Sequence, residues 1–167
     1  VYAFEPQKRL YNQLCGNVFL NEFDDKVTCF NIGLGEKNKK SSFGGLSGHN
    51  TLNWGGNWSE EMINYGGRSL EDNLGTNEID IKPLDSLNIA PNFIKIDVEG
   101  FETKVIEGFI KTLKNMEKKP CFYIEVGWRT RHPEWEKCRL IYKELFEIGY
   151  QKVNFKEETE DILFIPL

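Results

Sequence analysis

The chain has 167 residues, 40% of them hydrophobic, and a formal net charge of −5; that is enough apolar material for the core of one globular domain, and it excludes a disordered chain. Acidic and basic residues alternate along most of the sequence, so no basic stripe is available to a nucleic-acid backbone, and no apolar run approaches the roughly 18 residues of a membrane span. Four widely separated cysteines, Cys15, Cys29, Cys121 and Cys138, form no C-x-x-C pair and lack zinc-ligand spacing; they read as reduced core thiols of an intracellular, cytoplasmic chain, although an even count also permits two disulfides in a secreted one.

Val1 to Phe4 is a short apolar run ending at Glu5-Pro6, and Leu10, Leu14 and Val18 then recur every four residues, which predicts a strand followed by a helix with Pro6 in its first turn. The chain opens on Val1 without an initiator methionine, so upstream sequence is expected. Val27 to Leu34 is a second β-rich run, closed by Gly33 and Gly35 and a polar turn through Lys37 to Lys40. Residues 41–77 mix eight glycines with Asn50, Asn53, Asn57, Trp54 and Trp58, and propensity supports no long element there. A loop of that length inside a compact domain points to function, so 41–77 is the expected substrate-facing insertion.

Ile79 and Ile81 alternate with polar residues as a half-exposed strand does, and Pro83 ends it. Phe93 to Val98 is a further strand, followed by Glu99-Gly100 and a helix carrying Phe101, Val105, Ile106, Phe109, Ile110 and Leu113 on one stripe. Pro120 opens a strand from Cys121 to Val126. After Pro133, the residues Cys138, Ile141, Tyr142, Leu145 and Phe146 share a helix face that Gly149 terminates. Tyr150 to Phe155 and Ile162 to Ile165 flank an acidic turn and read as a hairpin. Alternating strands and helices followed by that hairpin indicate a single α/β domain over residues 1–167 with a mostly parallel sheet.

Ligands of open parallel sheets bind beyond the carboxyl ends of the strands. Three such ends carry polar candidates: Glu5, the Gly33–Gly35 segment with Leu34, and Asp97-Val98-Glu99-Gly100. A carboxylate after a strand can accept both hydroxyls of a ribose diol, which is the task Glu5 would have. The plainer alternative is a surface carboxylate near a helix N-terminus. Asp97 follows an apolar strand and precedes a glycine that lets backbone approach a ligand; burial there would require a partner, such as Lys95 or the amino group of a ligand. Helix capping by Asp97 or Glu99 is the alternative.

The runs Val-Tyr-Ala-Phe-Glu-Pro (1–6), Asn-Ile-Gly-Leu-Gly (31–35), Pro-Leu-Asp-Ser-Leu (83–87) and Phe-Ile-Lys-Ile-Asp-Val-Glu-Gly-Phe-Glu (93–102), in that order, resemble the successive signatures of FkbM-type methyltransferases. Tyr-Ile-Glu-Val (123–126), Gly149-Tyr150 and the ending Asp161 to Pro166 are similar as well, and Lys-Ile-Asp-Val-Glu-Gly is the most specific run. The resemblance implies a Rossmann-like class I methyltransferase sheet. The cofactor would be S-adenosyl-L-methionine, and the methyl group would pass to a hydroxyl on a sugar or another small-molecule acceptor. It also implies that Glu5 holds the ribose, that Gly33 and Leu34 lie near the adenine, and that Asp97 and Glu99 line the methionine and substrate end. The family's first strand and glycine-rich turn are absent from residues 1–167, so the domain is expected to be truncated at its N-terminus.

Methyl transfer to an alcohol needs an aligned nucleophile and a base. His49, in the glycine-rich stretch, is the candidate base, with solvated loop histidine as the alternative; His132 fits a helix start better. Trp54, Trp128 and Arg129 would make an aromatic and cationic wall for the acceptor, unless the tryptophans simply cover the sheet. Two further classes stay open. Asp97 and Glu99, at i and i+2, would suit a divalent ion in a nucleotide-sugar glycosyltransferase, and the missing strand would suit a degenerate, non-catalytic fold. No resident metal is expected under the leading reading.

Overall fold

The computed structural model describes residues 1–44, 76–98, 100–125, 135–154 and 161–167. They form two compact units, Val1–Lys82 and Pro83–Leu167.

In the first unit, β1 (Tyr2–Phe4) and β2 (Thr28–Phe30) pair in parallel, with Phe4 opposite Phe30 and their rings stacked at 5.0 Å. The connection is α1 (Lys8–Leu20), whose half-buried Leu10, Leu14 and Val18 follow the expected stripe. Pro6 stands ahead of the helix rather than inside its first turn, and Gln7 is the N-cap. The expected run from Val27 to Leu34 breaks after Phe30. Its second part, β3 (Gly33–Leu34), instead pairs in parallel with β5 (Thr76–Lys82).

β4 (Lys39–Gly44) runs antiparallel to β5, from Lys39 opposite Ile81 to Gly44 opposite Thr76. This strand corrects the sequence reading, which placed 37–40 in a turn and began the irregular insertion at 41. Lys-Lys-Ser-Ser lacks apolar alternation, so only the hydrogen bonds that β5 offers make it a strand. An ion pair from Lys40 to Glu78 lies across the pair. Ile79 and Ile81 alternate inward from β5 and supply the buried apolar side of this sheet.

In the second unit, β6 (Phe93–Ile96), β7 (Cys121–Glu125), β9 (Asp161–Pro166) and β8 (Tyr150–Asn154) lie in that order. β6 and β7 are parallel, whereas β9 is antiparallel to both of its neighbours, which is the expected terminal hairpin. The sheets are therefore mixed: three of the six strand pairings among the described residues are antiparallel. The expected mostly parallel arrangement with a terminal antiparallel hairpin holds in part: the hairpin is present, and β4, which was not anticipated, adds a further antiparallel ladder.

Two helices, α2 (Glu102–Glu107) and α3 (Ile110–Asn115), replace the single helix predicted over Phe101 to Leu113. The break has a tertiary cause. Gly108 turns its carbonyl to the N–H of Asp85 at 2.9 Å, and the Asp85 carboxylate accepts the N–H of Thr112, in the first turn of α3, also at 2.9 Å. Pro-Leu-Asp-Ser-Leu thus caps α3 from outside it, using an acid where helix N-termini leave N–H groups unpaired. Leu84 anchors the short 3₁₀ turn that presents Asp85.

α4 (Trp135–Glu147) buries Cys138, Ile141, Tyr142 and Leu145, as its sequence periodicity predicts, while Phe146 stays largely exposed. Gly149, with φ of +92°, ends it. The core of this unit joins Ile96, Ile106, Phe109, Leu113, Phe122, Ile124, Leu145 and Phe164. Tyr150 is buried with them and donates its hydroxyl to the Pro120 carbonyl at 2.8 Å. All four cysteines are free thiols. Among the described residues no helix is long and apolar enough to cross a membrane.

Candidate functional site

Glu5 is the first residue past β1. Its N–H donates to the Phe30 carbonyl at 3.0 Å, so strand pairing reaches the candidate acid before the chain turns. Asn31, just past β2, donates its side-chain amide to the carbonyls of Glu5 and Pro6, at 2.9 Å each, and so holds the two strand exits together. The Glu5 carboxylate folds back to accept the N–H of Gln7 at 2.7 Å through Oε1. It is half-buried. Burial raises its pKa above the usual glutamate value, and the bond from Gln7 offsets only part of that rise.

The glycine segment lies against this strand end. A Cβ on Gly33 would stand 3.6 Å from the Pro6 Cβ and 3.4 Å from Ile81 Cγ1, and one on Gly35 would stand 2.7 Å from Ile81 Cγ2. Only glycine allows Gly35 so close to β5, where its N–H donates to the Lys82 carbonyl at 3.1 Å. Leu34 between them is half-buried. Glu5, Gly33 and Leu34, three of the residues singled out in the sequence, thus belong to one neighbourhood within the first unit.

Asp97 follows β6 and is exposed rather than buried, which corrects the environment expected for it. Its Oδ2 accepts from Lys95 Nζ at 2.7 Å, one of the two partners the sequence suggested, and this bond is the main reason the Lys95 pKa rises. Gly100 adopts a φ of +98° and donates its N–H to Glu102 Oε1 at 2.9 Å. α2 then starts with Phe101 at its N-cap, without a side-chain cap bond among the described residues. Glu102, only 5% exposed, is the acid that fixes this turn.

Glu99, His49, Trp54, Trp128 and Arg129 lie outside the described residues, as do Trp58 and His132. β4 and β5 place both ends of segment 45–75 side by side, at Gly44 and Thr76. No group of three or more His, Cys, Asp or Glu side chains that could hold a metal occurs among the described residues.

Three residues at these strand ends were not singled out in the sequence. Asn31 and Glu102 sit inside the quoted runs, so their signal was present but unassigned, whereas Gln7 has no local signature at all.

A family model for the methyltransferase FkbM domain matches residues 1–152. The crystal structure of Methyltransferase FkbM from Methylobacillus flagellatus KT is similar, with a TM-score of 0.56 and 18% identity over 98% of this chain. At that identity the likeness is one of fold, and the chain spans 36% of the length of that protein. No curated protein matches the sequence.

Proposed function

Because the chain belongs to the methyltransferase FkbM family, we propose that it is part of the single catalytic domain of an S-adenosyl-L-methionine-dependent O-methyltransferase. The acceptor would be a hydroxyl on a sugar or another small molecule. The observation that carries the reading is the Glu5 strand end. One carboxylate oxygen is held by the Gln7 N–H, the acid is half-buried, and glycines lie alongside. A fixed, partly desolvated carboxylate is a good acceptor for neutral hydroxyl donors, because it is already oriented before the ligand arrives.

These residues fit the cofactor. Glu5 would accept the ribose hydroxyls, and the Gly33–Leu34 segment would pack along the adenine, whose flat face tolerates close backbone. Asp97, exposed and already paired with a cation, would take the ammonium of the methionine moiety in place of, or beside, Lys95. Glu99 would line the same end. S-adenosyl-L-methionine, when bound, supplies an electrophilic methyl group on a sulfonium. The protein's share is to align the acceptor oxygen and remove its proton. His49 is assigned the proton, and Trp54, Trp128 and Arg129 are assigned the acceptor.

Isothermal titration of the full-length protein with S-adenosylhomocysteine tests the reading. Glu5→Ala and Asp97→Ala should each weaken binding by about tenfold or more, the loss expected for a charge-assisted hydrogen bond. Unchanged affinity in both variants sinks the assignment.

A further inference from the structure

Tyr2 and Phe4 gather their rings against Phe30, at 6.3 Å and 5.0 Å, on one face of the β1–β2 pair. Side chains alternate along a strand, so Ala3 and Cys29, opposite each other in the register, point to the other face. α1 lies on that side, where the Cys29 thiol donates a hydrogen bond to the Cys15 sulfur. Tyr11 stands one turn before Cys15 on the same helix face and donates its hydroxyl to that sulfur as well.

Two thiols from different elements are therefore in contact, and both are free and half-buried rather than sealed. Cys138, only 2% exposed, is the opposite case. Cysteines that react are partly exposed and have donors or cations nearby, whereas fully buried ones are inert. Here Lys8 Nζ also lies 4.7 Å from the centre of the Tyr11 ring. Burial first, and the bond to Cys15 second, raise the pKa of the Cys29 thiol; the bond to Cys15 raises that of the Tyr11 hydroxyl. Both groups keep their protons at neutral pH, and Cys15 is the sulfur on which two donors converge.

We propose that Cys15 and Cys29 are a site of reversible oxidation, closing a disulfide between α1 and β2. With hydrogen peroxide as oxidant, the Cys15 sulfur attacks the O–O bond, takes one oxygen as a sulfenic acid and releases the other as water. The Cys29 sulfur then displaces that hydroxyl, which leaves as water with the Cys29 proton. Two thiols are oxidised and one peroxide is reduced to two waters; a dithiol reductant reverses the change. The bond would tie together the two elements that hold Glu5, α1 through the Gln7 N–H at its N-cap and β2 through Asn31 just past its end. The site stands independently of the cofactor reading.

The test treats the full-length protein with hydrogen peroxide, alkylates the remaining thiols and maps the peptides by mass spectrometry. A Cys15–Cys29 linked peptide should form and disappear with dithiothreitol, while Cys138 stays alkylatable after unfolding. The oxidised protein should melt about 5–10 °C higher, the gain expected for closing a loop of fifteen residues. Cys29→Ser should leave Cys15 as a sulfenic acid that dimedone traps, and should remove the thermal shift; Cys29→Ala supplies the same comparison if the serine variant does not fold.

Absence of the linked peptide in the parent protein would overturn the proposal without any variant, and without bearing on Glu5. Sulfenic acid forming on Cys29 in Cys15→Ser as fast as the parent closes its bond would overturn the assignment of Cys15 as the attacking sulfur. A linkage that leaves the melting temperature unchanged would overturn its role as a tie between α1 and β2.

Discussion

Glu5 and Asp97 each stand one residue past a strand, yet Glu5 is half-buried and bonded to a backbone N–H, whereas Asp97 is exposed and bonded to Lys95. The same sequence feature has become two electrostatic environments. Burial penalises the Glu5 charge and favours neutral donors; exposure leaves the Asp97 charge hydrated and open to a competing cation. The supports differ as well. The first strand end is held by Asn31 and by glycine contact with β5, and the second by the buried Glu102.

The largest expected effect is at the support of the second end. Glu102→Ala removes the buried carboxylate that accepts the Gly100 N–H, which should cost about 2–4 kcal/mol in urea denaturation. Glu102→Gln retains an acceptor and should recover most of that loss; an alanine variant as stable as the glutamine one would show that Glu102 does not hold the turn.

At the first end, Gly35→Ala drives a methyl into Ile81 and should cost about 1–3 kcal/mol. Gly16, inside α1 with nothing within 4 Å of an added Cβ, is the control, and its change to alanine should stabilise by roughly 0.5–1 kcal/mol. Equal responses at the two glycines would remove the argument from close packing.

The carboxylates themselves should matter less to stability, and in opposite directions. Asp97→Asn loses an exposed ion pair and should cost below about 1 kcal/mol, with the difference shrinking as salt is raised. Glu5→Gln should stabilise by a few tenths of a kcal/mol at neutral pH, about 1 °C in Tm. The sign follows from its raised pKa. A carboxyl that binds its proton more tightly folded than unfolded adds its stability at low pH, and loses it as pH rises through the folded pKa. The gain should vanish near pH 3.5, roughly, where the acid is neutral in both states. A gain that persists there would mean that burial of charge is not its cause.

Much of the architecture was legible because it follows local periodicity. Ile141, Tyr142 and Leu145 had to share a helix face, and Ile162 and Phe164 had to alternate inward against β7. The strand-end positions of Glu5 and Asp97 were equally readable, since each follows a β-rich run, whereas Gly33 and Leu34, read as lying past a strand, form one of their own. β4 was not, because its polar sequence becomes a strand only when β5 supplies the other half of the ladder. Nor was the break between α2 and α3, which depends on Asp85 reaching groups more than twenty residues away.

By itself, then, the sequence determined which residues end strands, which faces of the helices are apolar, and the motif order that marks the family. The tertiary structure alone decided which acid is half-buried, which is exposed, and that Gln7 carries a buried carbonyl without a donor among the described residues. The physical reason is range. Periodicity is set by residues a few positions apart, whereas burial and hydrogen-bond satisfaction are set by whatever distant segments the fold brings alongside.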